Sequence, residues 1–168
     1  MRRIWGFTLI EMMITIVVLA ILIAVAVPGM LGMIERNSVV AESNELIAAL
    51  LLTRSEAIKR EVNTVLVSSA SGWRIFVDTN GDGTEDTGEE VLGIHTVNNS
   101  NVTLSANGAA AAGIRYGSNG RVIGGGFTGG GTDFFKVVRG SAPTRCVRFS
   151  LTGRPWVDKD TAEGGGCS

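Results

Sequence analysis

The most prominent pattern in the chain is a long apolar run near its N-terminus. Residues 12–34 contain no charged side chain and consist mostly of Ile, Val, Leu, Met and Ala. About 20 apolar residues span a bilayer as an α-helix, so this run predicts a membrane helix. Arg2 and Arg3 precede the run, and positive charge in that position favours a cytoplasmic N-terminus.

The helical pattern continues beyond the apolar run. Residues 35–60 contain neither Gly nor Pro. Apolar side chains fall on one face at helical spacing, namely Leu46, Ile47, Leu50, Leu51, Ala57 and Ile58. The pattern therefore predicts one helix over residues 7–60, roughly 80 Å long at 1.5 Å per residue. Its amphipathic second half is expected to pack one face on a globular domain.

After residue 62 the hydrophobic period changes to two, which is typical of β-strands. The predicted strands cover residues 62–68, 73–78, 91–97, 102–105, 114–117, 121–123, 134–139 and 145–151. The segments between them are rich in Gly, Asn and Ser, and residues 109–112 and 124–131 are predicted loops. A long helix followed by short strands predicts an α+β fold, with an antiparallel sheet packed on the second half of the helix.

Composition narrows the range of functions. A length of 168 residues indicates one domain, and a net charge of -1 argues against a generally basic nucleic-acid-binding protein. One His and two Cys exclude a His/Cys zinc cluster within one chain, and His95 has no evident catalytic partner. The Gly-rich residues 124–131 lack the G-K-[ST] end of a phosphate-binding loop. We therefore expect a protein that is not an enzyme and has no metal or cofactor.

Three interpretations of the N-terminal segment compete. A secretory signal peptide also has a basic start and an apolar core, and residues 24–26 (AVA) fit an A-x-A cleavage site. A plain membrane anchor is the second interpretation. Neither explains Glu11 at the start of the apolar segment, because an ionisable group at membrane depth is costly and usually has a partner.

The third interpretation rests on a motif. The apolar run is preceded by residues 6–11 (GFTLIE), which resemble the processing site of type IV pilins and type II secretion pseudopilins. The resemblance implies that a prepilin peptidase cleaves after Gly6 on the cytoplasmic side, and that the new N-terminal Phe7 is N-methylated. The chain then consists of a leader peptide (1–6), the transmembrane half of the helix (7–34) and a β-rich periplasmic or extracellular domain (35–168).

This motif gives Glu11 a role in assembly. Glu11 is the fifth residue of the processed chain, and the resemblance implies that its carboxylate pairs with the amine of Phe7 on a neighbouring subunit. Such a pair is much stronger at low dielectric than in water, and an unpaired partner is costly. We therefore expect Glu11 to set the register in which the subunit enters a filament. The alternative is a carboxylate that only stabilises the helix N-terminus through the helix dipole.

A second resemblance covers most of the chain. Residues 54–60 (RSEAIKR), the strand that follows and residues 72–78 (GWRIFVD) resemble the H-type (GspH/FimT) branch of pseudopilins and minor pilins. It implies a type IV pilin-like fold and a low-abundance subunit near a filament tip or in an initiating complex. The implied location is the bacterial inner membrane, single-pass, with the globular domain periplasmic and surface-exposed in a pilus. The implied partners are other pilin or pseudopilin subunits, prepilin peptidase and the inner membrane.

Basic residues are concentrated towards the C-terminus, where residues 101–168 hold eight Lys and Arg against four Asp and Glu. Within this part, residues 145–156 (RCVRFSLTGRPW) resemble the region of H-type minor pilins that binds DNA in natural transformation, where a Gly-Arg-x-Arg motif lies between two cysteines. Trp156 stands in place of the second arginine, and can stack on bases or fill the core. The resemblance implies double-stranded DNA binding through Arg145, Arg148, Gly153, Arg154 and Lys159.

The arginine-rich segment favours a minor type IV pilin that assembles into or primes a pilus and captures DNA for uptake. The alternative function is an H-type pseudopilin of type II secretion that does not bind DNA. The arginines would then be solvated strand residues.

An acidic segment lies between two predicted strands. Asp78, Asn80, Asp82 and Glu89 fit the calcium-loop pattern D-x-[DN]-x-[DN]-G-x5-E. The flanking segments read as strands, whereas an EF-hand has two helices, and Asn-Gly and Asp-Gly are common in turns. A solvated hairpin is therefore the favoured interpretation, with weak calcium binding as the alternative.

The remaining candidates are the two cysteines and the histidine. A domain carried outside the cytoplasm meets an oxidising compartment, so Cys146 and Cys167 are expected to form a disulfide. Closing their 21-residue separation contributes about 3 kcal/mol. His95 is predicted to be a half-exposed strand residue.

Overall fold

The computed structural model describes residues 6–97, 102–124, 133–159 and 167. Its longest element is helix α1, Leu9–Arg60. Within the described residues, this is the one helix long and apolar enough to cross a membrane by length and composition. The chain divides into two compact units, Met1–Ile34 and Glu35–Ser168.

The second unit is built on the C-terminal half of α1 and on two antiparallel four-stranded sheets. The strands are β1 (Asn63–Ser69), β2 (Gly72–Asp78), β3 (Val91–Thr96), β4 (Val102–Asn107), β5 (Ile114–Tyr116), β6 (Phe134–Arg139), β7 (Arg145–Phe149) and β8 (Pro155–Lys159). The first sheet has the order β3-β2-β1-β5, and the second sheet has the order β4-β6-β7-β8. A short 3-10 helix, Gly108–Ala112, lies between β4 and β5.

One hydrophobic core joins the helix to both sheets. The side chains that contribute to it from α1 are Val39, Leu46, Ala49, Leu50 and Ala57. The first sheet contributes Leu66, Trp73, Ile75, Ile114 and Tyr116, and the second sheet contributes Val102, Leu104, Phe135, Val137, Val147 and Phe149. Because burying one such side chain contributes about 1.5–3 kcal/mol, this shared core holds the helix against both sheets.

Buried hydroxyl groups on the packed face of α1 all have acceptors. Ser43 donates to the carbonyl of Val39 at 2.6 Å. Thr53 donates to the carbonyl of Ala49 at 2.7 Å. Thr64, on β1, donates to the carbonyl of Thr53 at 2.6 Å. Since an unpaired buried polar group is costly, this last bond also fixes the start of the first sheet against the helix.

The α+β class, the long helix and most strands are as predicted, with four differences in detail. The helix begins at Leu9, and the strands form two sheets where one was expected. Residues 121–123 form only an isolated bridge between Tyr116 and Val122. Residues 108–112 form a 3-10 helix where a loop was expected, because Asn107 caps Gly108 N and Asp133 accepts Ala109 N. Most of the predicted loop 124–131 lies outside the described residues.

Strand β8 was not predicted. It begins at Pro155, which pairs with Phe149, and runs antiparallel to β7 along the edge of the second sheet. Proline is tolerated at the first residue of an edge strand because its missing N–H costs no ladder bond there. In a sequence, a proline after a glycine-containing turn usually indicates a loop. The pattern therefore did not predict a strand here.

Candidate functional site

The predicted processing site lies in an exposed, non-helical segment ahead of α1. Gly6 and Phe7 are both exposed, and Phe7 is 80% exposed. Among the described residues, no heavy atom beyond its chain neighbours comes within 4 Å of a Cβ built on Gly6. The peptide bond between Gly6 and Phe7 is therefore open to an approaching protease.

Thr8 and Glu11 cap the first turn of the helix. Thr8 N donates to Glu11 Oε2 at 3.5 Å, and Glu11 N donates to Thr8 Oγ1 at 3.3 Å. These reciprocal bonds form a capping box, which satisfies backbone donors that a helix N-terminus leaves unpaired. In the unprocessed chain Glu11 thus caps the helix N-terminus through hydrogen bonds.

The acidic segment forms the loop that joins β2 to β3, and its carboxylates hold its backbone. Asp78, whose side chain is fully buried, accepts the N–H groups of Gly81 at 2.7 Å and Gly83 at 3.1 Å. The guanidinium of Arg115 lies 3.5 Å from Asp78 Oδ2 and also donates to the carbonyl of Gly81. A second ion pair joins Arg74 to Glu85 at 2.6 Å.

The exposed carboxylates of this loop also accept hydrogen bonds from its backbone. The N–H groups of Asp86 and Thr79 donate to Glu89 and hold the pKa of that carboxyl below its ordinary value. Hydrogen bonds from the backbone and side chain of Thr84 lower the pKa of Asp82 likewise. Within the described residues, no group of three or more His, Cys, Asp or Glu side chains is placed to hold a metal ion. The geometry is that of a hydrogen-bonded loop, which favours the hairpin interpretation.

The turn between β7 and β8 carries Gly153 and Arg154. Ser150 closes it, since Ser150 N donates to the carbonyl of Arg154 at 3.0 Å and Gly153 N donates to the carbonyl of Ser150 at 2.8 Å. Gly153 has φ +80°, and a Cβ built on it would lie 2.3 Å from Gly120 O and 2.8 Å from Tyr116 Cε1. Only glycine allows this close approach, so Gly153 seats the turn that presents Arg154.

Two adjacent turns, each with an arginine directly after a glycine, lie against Arg54 on the helix. Arg154 follows Gly153, and Arg121 follows Gly120 in the neighbouring turn. Arg54, on α1, has its Nε 3.2 Å from a Cβ built on Gly120 and 3.3 Å from one built on Gly153. We call Arg54, Arg121 and Arg154 the turn patch.

The turn patch is cationic, and the described part of the chain provides no matching carboxylate. None of its arginines forms an ion pair with a carboxylate of the described residues. Arg121 and Arg154 are exposed, and Arg54 is half-buried. The buried Nε of Arg54 has no hydrogen-bond partner within the described part of the chain. Beneath the patch, burial raises the pKa of Tyr116 far above its ordinary value, so its hydroxyl stays protonated and donates to the carbonyl of Gly153 at 3.3 Å.

The other arginines of the predicted DNA-binding set lie elsewhere. Arg145 begins β7 and is paired by register with Lys159. This end of the strand pair lies roughly 13 Å from the turn, at a rise of about 3.3 Å per residue. Arg148 is buried on the outer side of the second sheet, with its Nε 2.9 Å from Asp158 Oδ2 and its guanidinium 5.2 Å from the centre of the Phe134 ring. The predicted set is therefore divided among three places and does not form one surface.

The structure also places Trp156 and the cysteines. Trp156 pairs with Arg148 across β7 and β8 and is 41% exposed, so it does not fill the core. Cys146 and Cys167 form the predicted disulfide, with Cα atoms 5.7 Å apart. The bridge ties Cys167 to the buried interior of β7.

His95 is a part-buried residue of β3, as predicted, but it has partners that the sequence did not reveal. Its Nε2 lies 2.8 Å from Glu42 Oε1 on α1. Its ring stacks on Trp73 with the ring centres 4.0 Å apart. The residue thus fastens an edge strand of the first sheet to the helix.

Comparison with known protein families identifies the family of the chain. The prokaryotic N-terminal methylation motif matches residues 1–27. The family model described as type II transport protein GspH matches residues 42–153, which is more than half of the chain. The chain belongs to the GspH family. No curated protein matches it significantly.

Solved structures show the fold of this GspH-family chain. Two crystal structures of the type IV minor pilin FimU of Pseudomonas aeruginosa are similar to it. The P21 form has 19% sequence identity and a TM-score of 0.57, and the match covers 80% of this chain and 98% of FimU. The P65 form has 17% identity and a TM-score of 0.52, and the match covers 76% and 98%. The type IV pilin fold is thereby established.

Two residues of the turn patch, Arg54 and Arg121, were not predicted from the sequence as part of a binding site. Arg121 was counted only in the basic excess of the C-terminal part. Arg54 lies in the RSEAIKR segment, but 100 residues separate it from Arg154. The signal that was available is the glycine before Arg121, since a Gly-Arg pair also precedes β8. The proximity of these residues to Arg154 depends on how the two turns pack on the helix, which no local pattern specifies.

Proposed function

We propose that the chain is a minor type IV pilin, a structural subunit that assembles into a pilus filament or primes its assembly. The observation that carries the proposal is the exposed Gly6–Phe7 junction directly ahead of the capped apolar helix. The match of the methylation motif to residues 1–27 supports the same chemistry. Prepilin peptidase removes residues 1–6, and Phe7 becomes the N-methylated N-terminus.

The same proposal gives the location and the partners of the subunit. Before assembly, the apolar half of α1 crosses the inner membrane once, with Arg2 and Arg3 on the cytoplasmic side. The domain of residues 35–168 then lies in the periplasm, where Cys146 and Cys167 are oxidised. In a filament, other pilin subunits surround the apolar helix, and the domain is exposed at the pilus surface.

A type II secretion pseudopilin is the second candidate, and the match to the family of type II transport protein GspH favours it. Deleting the gene in the bacterium that carries it separates the two functions. A minor pilin predicts loss of surface pili by electron microscopy with secreted proteins unchanged in the culture medium. Loss of secreted proteins with normal pili identifies the pseudopilin instead.

We further propose that the turn patch binds the phosphate backbone of double-stranded DNA. Two exposed arginines on adjacent turns, with Arg54 beside them and no ion-paired carboxylate among the described residues, provide the cations that phosphate contacts need. Trp156 cannot replace a cation at the position of the second arginine. Arg121, from the neighbouring turn, supplies that second charge. Arg148 is left out because it is buried against Phe134 and paired with Asp158.

The test is fluorescence anisotropy of a short duplex with the full chain in a neutral detergent, over a range of salt concentrations. Removing one phosphate contact lowers the slope of log K against log salt by about 1. We expect Arg154→Ala and Arg121→Ala each to weaken binding and lower the slope. Arg145→Ala, at the far end of β7, is the matched control and is expected to bind as the unmodified chain does. No binding at low salt, or equal losses in all three variants, contradicts the proposal.

A further inference from the structure

A second cationic site lies at the opposite end of the β7–β8 pair from the turn patch. A cavity of about 190 Å³ opens there between α1 and the connection from β6 to β7. Among the described residues, its lining includes Arg36, Val40, Pro143 and Arg145. We call this cavity the Arg36–Arg145 pocket. All four residues belong to the unit Glu35–Ser168.

The connection between β6 and β7 is fastened to the helix beside this pocket. Glu35 Oε2 accepts the N–H of Ser141 at 3.2 Å and its hydroxyl at 3.1 Å. Gly140 has φ +49°, and a Cβ built on it would lie 2.5 Å from Glu35 Oε1. On the next helical turn, Ser38 accepts a hydrogen bond from Arg139. The walls of the pocket are therefore held in place before any ligand binds.

The described part of the chain offers the two arginines of the pocket no counter-ion. Glu35, the nearest acid in sequence, is engaged by the amide and hydroxyl of Ser141. Neither Arg36 nor Arg145 forms an ion pair with a carboxylate in the described part of the chain. The register pairs the backbone of Arg145 with that of Lys159 at this end of the sheet. The site thus has the charge and the donors to bind an anion.

The position of the pocket along the chain indicates which anion. Arg36 follows the uncharged run 12–34 by two residues, which is about 3 Å of helix rise. The hydrocarbon core of a bilayer is about 30 Å thick, and the headgroup layers increase the total thickness to about 40–45 Å. A side chain just beyond an apolar run therefore lies at the depth of the lipid phosphates. A guanidinium binds phosphate in a bidentate manner. A small concave site with two apolar walls also fits one headgroup better than the extended backbone of a duplex.

We propose that Arg36 and Arg145 bind the phosphate of an anionic phospholipid headgroup while the subunit is in the membrane. The proposal rests on the apolar run spanning the bilayer, and it is independent of whether the chain later enters a pilus or a secretion filament. Val40 and Pro143 keep water from the bound phosphate, which strengthens its interaction with the guanidinium groups. The lipid would hold the subunit at the membrane surface until it is extracted during assembly.

The experiment is native mass spectrometry of the full chain released from detergent micelles, titrated with phosphatidylglycerol or with phosphatidylcholine. We expect one phosphatidylglycerol molecule to bind preferentially. Arg36→Ala, at an exposed helical position that tolerates alanine, and Arg145→Ala are each expected to weaken this binding about tenfold, as loss of a charged hydrogen bond implies. Arg145→Lys should restore part of the affinity. Arg154→Ala, in the turn patch, should leave lipid binding unchanged.

Four outcomes overturn the proposal. Equal binding of phosphatidylglycerol and phosphatidylcholine removes the role of the negative headgroup. Unchanged lipid binding in both Arg36→Ala and Arg145→Ala removes the pocket. Inorganic phosphate that binds the pocket as tightly as the lipid, measured by its effect on thermal unfolding, makes it a free-phosphate site. If Arg145→Ala weakens DNA binding and not lipid binding, the pocket belongs to the DNA surface.

Discussion

We propose that Glu11 has two functions at different stages of the life of the chain, the second of which depends on cleavage after Gly6. In the unprocessed chain its carboxylate and Thr8 exchange hydrogen bonds across the first turn of α1. Cleavage after Gly6 creates a positive amine at Phe7, four residues before Glu11 in sequence. In the apolar core of a filament, an unpaired carboxylate is costly, so the amine of a neighbouring subunit becomes its best partner.

Glu11→Gln separates these two functions, because Gln also fits a capping box but carries no charge. We expect Glu11→Gln and Glu11→Ala both to be cleaved after Gly6 and both to be absent from filaments. Immunoblots of sheared filaments and of membranes measure this directly. If Glu11→Gln enters filaments normally while Glu11→Ala does not, capping and not charge is the function of this residue.

Gly153 is the residue on which the position of the turn patch depends. Gly153→Ala forces a Cβ to within 2.3 Å of Gly120 O in a left-handed conformation, and overpacking of this kind typically costs about 1–3 kcal/mol. Gly88→Ala is the control, since Gly88 also has a positive φ but no atom within 4 Å of its built Cβ. Urea unfolding in detergent should show the larger loss for Gly153→Ala. Equal losses would mean that the close approach of the two turns contributes nothing.

At the scale of elements, periodicity located the helix and most strands, because a change from period 3.6 to period 2 is visible in the sequence. The pairing of the strands could not be predicted from the sequence. Arg145 and Arg148 lie three residues apart on β7, and strand alternation sends them to opposite faces of the second sheet. Arg154 lies beyond the end of that strand. The register therefore places the residues of the predicted DNA-binding set at separate positions.

The packed face of α1 is tested by two neighbouring leucines that the helical pattern treated alike. Leu50 is fully buried in the core, whereas Leu51 is 47% exposed. We expect Leu50→Ala to lower the free energy of unfolding by about 2–5 kcal/mol and Leu51→Ala to change it by less than about 1 kcal/mol. Urea unfolding in detergent measures both. A larger loss for Leu51→Ala would mean that the other face of the helix packs on the sheets.

At the scale of the molecule, a net charge of -1 conceals an uneven distribution of charge. The loop between β2 and β3 uses its acids to hold its own backbone and to pair with Arg74 and Arg115. The turn patch and the Arg36–Arg145 pocket lie at opposite ends of the β7–β8 pair. On α1, Arg36 and Arg54 are 18 residues apart, about 27 Å at the helical rise. We infer one anion site for DNA and a separate one for lipid.

The most direct test of the central claim is mass spectrometry of filaments sheared from the bacterium that carries this chain. Assembly as a minor pilin predicts a small amount of the chain in the filament fraction, beginning at N-methylated Phe7 and lacking residues 1–6. Prepilin peptidase deletion should leave the chain in the membrane with residues 1–6 attached. A chain cleaved after residue 26, or one that remains unprocessed in membranes that contain active prepilin peptidase, would contradict the claim.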